Sequence, residues 1–368
     1  MAGPRYTKIV SELPSTVPFV GPEAQERARG AVFKARIGAN ESVFGPSPKA
    51  VAAVQQAATE NWKYCDPDNY DLKHAVAAHH GVNPDNIVII EGIDGGLGLI
   101  NRMVVEPGDP VITSDGAYPT FNFHVAACGG RLTKVPFKDD HEDLGRLLDE
   151  ASRQDAKILY VSNPNNPMGT WWSAEDIAQE IADLPAGTVL VLDEAYCDTA
   201  PADALPPLDV SNPMVVRFRT FSKAYGMAGA RIGYCLGHPD VIASFDKVRN
   251  HYGINRLAQV AALAALGDQA YLTETVAKIA AARDRISTVA KAQGLEPLPS
   301  ATNFVTIDCR RDGAYAQRVM QELLKRDIFV RMPGVAPLNR CIRISAGRES
   351  DLALFEAALP GALQAAAG

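Results

Sequence analysis

The sequence is short of everything that marks a metal, redox, nucleic-acid or membrane protein. Its six cysteines, Cys65, Cys128, Cys197, Cys235, Cys309 and Cys341, stand singly with no C-x-x-C pair. That excludes a zinc ribbon or a dithiol redox centre and leaves reduced, buried thiols as the expectation. Among seven histidines no two are spaced H-x-x-x-H, and the neighbours His79 and His80 diverge on a helix, so no metal site is expected. There is no basic block: 36 Lys plus Arg against 43 Asp plus Glu gives a net charge of -7, which excludes a phosphate-backbone binder. No apolar run approaches the ~18 residues of a membrane span. The first 20 residues also lack the apolar stretch of a signal peptide, and a cytoplasmic location is expected. Low-complexity linkers and internal repeats are absent too.

What is there is an ordinary globular composition, 47% hydrophobic and 21% charged over 368 residues. That length exceeds what one core usually supports, so two domains, or one with a substantial satellite, are expected. Ser47-Pro48-Lys49 reads as an N-cap with proline at the first helical position, opening a helix to about Thr59, and Asp71 to His80 reads as a second. From Ile87 the chain alternates strands and helices, the pattern of a mostly parallel α/β sheet. The strand candidates are 87–90, 110–114, 158–162, 189–193, 215–218 and 232–236, several of them continuously apolar, as strands covered on both faces require. Ser173 to Asp176 resembles a capping box. Helices near 257–266 and 271–293 lead into a smaller α+β pattern. There, strands at 303–308, 328–331 and 341–345 alternate with a helix at 315–325 and a terminal helix. The first 35 residues show little periodicity.

Ligands of open α/β sheets bind beyond the carboxyl ends of the strands, so polar residues there are where chemistry is expected. Four such places stand out. Glu91-Gly92-Ile93-Asp94-Gly95-Gly96-Leu97-Gly98 is a glycine-rich turn that would enter a helix and aim free backbone N–H groups at an anion. Alone it reads equally well as turn geometry. Ser162-Asn163-Pro164-Asn165-Asn166-Pro167-Met168-Gly169 is a tightly specified loop. Asp193-Glu194-Ala195-Tyr196 puts a carboxylate at the end of a buried strand, which is costly unless a cation meets it. Thr220-Phe221-Ser222-Lys223, followed by Ala228-Gly229-Ala230-Arg231-Ile232-Gly233, offers a lysine beside a second cation. A desolvated lysine of that kind loses its proton and becomes an amine nucleophile.

In this order, each at a strand end, these motifs resemble the fold-type I pyridoxal 5'-phosphate (PLP) aminotransferases of class I/II. They are most similar to the histidinol-phosphate aminotransferase family, from about Ile37 to about Leu354. The resemblance implies the α/β PLP-dependent transferase fold type I. That fold has a large domain with a mostly parallel central sheet plus a smaller α+β domain. Residues 1–40 would be an N-terminal segment packing on the small domain, 41–256 the large PLP-binding domain and 257–368 the small C-terminal domain.

The resemblance also implies roles. Lys223 would hold PLP as a Schiff base and move the proton between the substrate Cα and the cofactor C4' carbon, Asp193 would pair with the pyridinium nitrogen, and Asn166 and Tyr196 would bond the phenolic oxygen. Tyr118 would stack on the ring. Ser222, Arg231 and the amides of Ile93, Asp94 and Gly95 would bind the phosphate. Tyr64 would reach the partner subunit's phosphate, which makes the protein a homodimer. Arg343 would bind the substrate's anionic end with Arg331 beside it, and Asn40 and Asn303 would lie near the pocket.

Four places depart from the family pattern, the first being Gly92-Ile93-Asp94-Gly95 where the family carries Gly-Ser-Asp-Glu, which keeps the backbone donors but loses a hydroxyl. Pro18-Phe19 stands where the family carries Pro-Tyr, and phenylalanine cannot donate a hydrogen bond to a substrate phosphate. Met168 replaces a threonine and Cys65 a proline. These changes extend the expected donors from histidinol phosphate to an aromatic or other carboxylate-bearing amino acid, with a 2-oxo acid such as 2-oxoglutarate as acceptor. The rival readings are an amino-acid-phosphate decarboxylase or a β-eliminating lyase on the same scaffold, a dinucleotide-binding Rossmann protein, and a non-catalytic PLP binder.

Overall fold

The structure, a computed structural model, describes residues 3–15 and 20–368. Phe19 and its neighbour Pro18 lie outside the described residues. In chain order the strands are β1 (Ala35–Arg36), β2 (Ile87–Ile90), β3 (Pro110–Ser114), β4 (Arg131–Val135), β5 (Ile158–Ser162), β6 (Val189–Asp193), β7 (Val215–Thr220), β8 (Gly233–Leu236), β9 (Glu296–Pro297), β10 (Phe304–Asp308), β11 (Ile328–Phe329) and β12 (Cys341–Ser345).

Seven of them form one sheet in the order β2-β8-β7-β6-β5-β3-β4. All its neighbours are parallel except those of β8, which runs antiparallel to both β2 and β7. The carboxyl ends of β2, β3, β5, β6 and β7 therefore share one edge. Register aligns them closely: Ser162 pairs with Asp193, Asp193 with Phe218, and Gly233 with both Ile90 and Thr220. β5 and β6 are buried almost throughout because helices cover both faces of the sheet. Several helices start where the sequence provides a cap. Ser47 accepts from Ala50 N, Ser173 and Asp176 form the capping box, and Asn255 accepts from Ala258 N.

A second unit joins β9, β10 and β12 into an antiparallel sheet and pairs β1 with β11 in parallel. Its core is made by Ala35 and Ile37 from the N-terminal side with Ile279, Ile286, Val319, Leu323, Ile342, Ile344 and Phe355. The expected boundary at 257 does not coincide with this change of core. The helix Arg256–Leu266 packs Ala258, Ala261, Ala262 and Ala265 into the same cluster as Ala50, Ile87 and Ile232, since its small side chains allow close approach to the helix Pro48–Ala57. The N-terminal segment also divides. Arg29 pairs with Asp327 of the small unit, whereas the helix Lys8–Glu12 rests on the helix Pro119–Ala127 of the large one, with Ile9 against Gly129. Among the described residues no helix is long and apolar enough to cross a membrane, and no group of three or more His, Cys, Asp or Glu could hold a metal.

Candidate active site

The strand ends on the shared edge enclose a cavity lined by Ile93, Asp94, Tyr118, Tyr160, Ser162, Asn166, Asp193, Tyr196, Ser222, Lys223 and Arg231. Nine of the residues singled out in the sequence are among them. They meet because the loops after β2, β3, β5, β6 and β7 all leave from one sheet edge.

Lys223 follows β7 directly, and its Nζ donates to the main-chain carbonyl of Asn40 at 3.2 Å. Burial, with the cations of Arg343 and Arg231 adding to it, lowers its amine from the usual lysine range to about 8. Asp193 and Glu41 oppose that shift. Asp193 ends β6, is 5% exposed, and is raised by burial to about 6 even though Tyr160 Oη donates to its Oδ2 at 2.7 Å and Ala195 N to its Oδ1 at 2.9 Å. The adjacent Glu194 points elsewhere. Burial pushes its carboxyl up, but Arg219 and Arg217, both bonded to it, outweigh that and hold it ionised. The Asp-Glu pair thus splits into one carboxylate facing the cavity and one neutralised beneath it.

The glycine-rich turn becomes the start of the helix Gly92–Val104, so the N–H groups of its first turn have no helical partner. Arg231 is held over that end in a left-handed conformation, φ 55°, with Nη1 donating to Ala228 O at 2.9 Å. A Cβ at Gly92, itself at φ 70°, would stand 2.6 Å from Arg231 Nη2, so the approach of guanidinium to helix end needs glycine there. Helix N-terminus and guanidinium together make an anion cradle. Gly95 lies in the same turn but lines a neighbouring cavity with Arg102 and His124, whose Nε2 lies 3.0 Å from Asp94 Oδ1.

Asn40, also left-handed at φ 56°, ties the two units together. Its Nδ2 donates to Tyr196 Oη at 3.0 Å, its carbonyl accepts from Asn303 Nδ2 at 2.9 Å, and its Oδ1 accepts from Ser345 Oγ at 3.2 Å. Arg343 of β12 donates to Asn166 Oδ1 through Nη1, and its guanidinium lies 5.1 Å above the Phe304 ring. Burial lowers it to about 10. Arg331 pairs with Arg343 across a β-bridge but sends its Nη1 to Val20 O at 2.8 Å. Tyr64 does not line this cavity within the chain; it is 82% exposed and leans on Tyr252 with ring centroids 5.1 Å apart.

Sequence reading passed over Tyr160, Ser345 and Glu142, and named Thr220 without giving it a role. Thr220 Oγ1 positions Ser222 by accepting its N–H and donating to its Oγ. Glu142, buried beneath the 162–170 loop, accepts from Ser114 Oγ, Ser162 Oγ and Asn165 Nδ2. Only for Tyr160 was a signal available, a polar tip in an otherwise apolar strand two residues before a strand end.

Comparison with known proteins agrees with this geometry. The family model of aminotransferase class I and II matches residues 34–358. The chain is 31% identical to histidinol-phosphate aminotransferase of Moorella thermoacetica over 97% of its length and 92% of the relative's. It is 36% identical to that of Roseiflexus castenholzii, over 87% and 88%. The crystal structure of histidinol-phosphate aminotransferase from Sinorhizobium meliloti in complex with pyridoxal-5'-phosphate superposes with a TM-score of 0.96 at 55% identity, covering 99% of this chain and 98% of that one. A dinucleotide-binding Rossmann protein is thereby ruled out, and the chain belongs to the class I and II aminotransferases.

Proposed function

We propose that this aminotransferase holds pyridoxal 5'-phosphate on Lys223, takes histidinol phosphate as its amino donor and passes the amino group to 2-oxoglutarate. The observation that carries the reading is a half-buried lysine, lowered to about 8, sharing one cavity with a buried aspartate and an arginine-capped helix end. The residues fit the cofactor at each of its polar ends. Arg231, Ser222 and the amides of Ile93, Asp94 and Gly95 would hold the phosphate, Asp193 the ring nitrogen, and Asn166 and Tyr196 the phenolic oxygen, with Tyr118 against the ring face.

When bound, PLP supplies an electron sink for the electrons of the substrate Cα–H bond. The chain's own residues do the rest. Lys223, neutral above about pH 8, has the free pair needed to take the Cα proton and return it. Asn40 O, accepting from its Nζ, holds it close to the cavity. Arg343, with Arg331 on the adjoining backbone, would receive the anionic end of the donor, and its Nε makes no hydrogen bond although buried. The same arginine would take the distal carboxylate of 2-oxoglutarate in the second half-reaction.

Histidinol phosphate is preferred over an aromatic amino acid because relatives across nearly the whole chain bear that name. The lyase and decarboxylase readings have no such support. We also infer a homodimer, in which exposed Trp62, Tyr64, Tyr70 and Tyr252 are covered and Tyr64 reaches the partner's phosphate cradle. Sedimentation at micromolar concentration should give twice the chain mass. The substrate is tested by kcat/KM with histidinol phosphate, phenylalanine and glutamate, each against a 2-oxo acid. Histidinol phosphate should have the higher kcat/KM, since phenylalanine brings only a carboxylate next to the reacting carbon and no distal phosphate for the arginines to hold, and equal or greater turnover of phenylalanine would overturn it.

A further inference from the structure

Tyr160 follows two aliphatic residues and precedes a third in a strand that ends at Ser162, and it is completely buried. A phenol at that depth needs a partner for its hydroxyl. It pairs in register with Val191, and the two-residue period of parallel strands puts Tyr160 and Ser162 on the same face as Val191 and Asp193. Its ring lies flat on Phe121, centroids 4.3 Å apart and planes within 14°, so the side chain cannot swing away. From that fixed ring Oη donates to Asp193 Oδ2 at 2.7 Å, while Ala195 N occupies Oδ1 at 2.9 Å. The carboxylate is held at both oxygens by donors that are themselves anchored.

We propose that Tyr160 is a positioning residue for Asp193: its hydroxyl fixes the plane of the carboxylate, keeps it ionised inside the sheet edge, and so sets how firmly the cofactor's ring nitrogen is held protonated. The proposal rests on the reading that Asp193 faces that nitrogen.

The direction of the effect follows from the charges. A donor to a buried carboxylate stabilises its ionised form. Without it, Asp193 gains proton affinity and competes with the ring nitrogen for the shared proton, so the ring withdraws electrons less strongly. The cofactor–lysine linkage then becomes more basic. A hydrogen bond to a charged group contributes enough to change a rate by about tenfold.

The test is Tyr160→Phe, which removes one oxygen and keeps the ring on Phe121, measured in the PLP-loaded dimer beside wild type and Asp193→Asn. The visible absorbance of the bound cofactor should titrate with a midpoint higher by about half a unit to one unit. Turnover should fall about tenfold with KM for the donor changed less than about threefold. An unchanged midpoint with unchanged turnover overturns the role of Tyr160, and so does a lower melting temperature with both unmoved. If Tyr160→Phe does not fold, a ring-fluorinated tyrosine at 160, a stronger donor, should move the midpoint down, and no movement counts against the proposal. Asp193→Asn separates the two ideas. A normal midpoint and normal PLP affinity in that variant would sink the reading of Asp193 itself, whatever Tyr160 does.

Discussion

Lys223 Nζ donates to the carbonyl of Asn40, a residue 183 positions earlier that is itself bonded to Tyr196, Asn303 and Ser345. The amine therefore hangs from a polar knot that joins the large sheet to the small unit, and its nucleophilicity depends on both. Lys223→Ala should lower transamination by more than about 1,000-fold, the combined loss of a covalent attachment point and a proton carrier. Circular dichroism should be unchanged. Steady-state assay with histidinol phosphate checks it.

The pH dependence of cofactor attachment follows from the depressed lysine. With the amine at about 8, it is charged and unreactive below that pH and neutral above it, so the rate of PLP attachment to the apo protein should rise through a midpoint near 8. After burial, Arg343 is the largest cause of the depression. Arg343→Gln should therefore shift the midpoint upward, toward the ordinary lysine value. Stopped-flow absorbance across pH 6 to 10 reads both.

Gly92→Ala tests the anion cradle. The new Cβ would meet Arg231 at 2.6 Å and demand a positive φ, so the guanidinium must retreat from the helix end. PLP affinity should fall about tenfold or more, with a loss of stability near 1 kcal/mol. Equilibrium dialysis of PLP checks the first part and thermal melting the second.

Glu180, which does not line the site, predicts a pH-dependent stability. It is 3% exposed, its Oε1 has no hydrogen-bond partner, and burial raises it to about 8. Its folded-state value lies above the unfolded one, so the protonated form is favoured in the fold. That contribution is complete below about pH 4.5 and is lost as pH rises toward 8. Glu180→Gln should accordingly stabilise the protein at pH 8 by about 1–3 kcal/mol relative to its effect at pH 5. Denaturant unfolding at the two pH values measures the difference.

Much of the sheet was legible because its central strands are continuously apolar: 87–90, 110–114, 158–162 and 189–193 appear at the expected residues. β4, Arg-Leu-Thr-Lys-Val, was not legible. It is an edge strand exposed on one side, and its polar residues hide the pattern. The site residues could be picked out because each follows an apolar strand and breaks it with a charge or a glycine. Ser345 and Glu142 could not, since they serve through partners distant in sequence that only the folded registers bring near; Tyr160 left only the faint signal of a hydroxyl in a mostly apolar strand, and its partner Asp193 lies on the next strand. Arg331 was expected beside Arg343 and is so along the backbone, while its contact with Val20 O was not foreseeable.

The most direct measurement is borohydride reduction of the protein as purified with PLP, followed by peptide mapping. The account predicts loss of the visible band and one pyridoxyl group fixed to Lys223. Attachment at any other lysine, or a colourless protein that takes up no PLP, would contradict it.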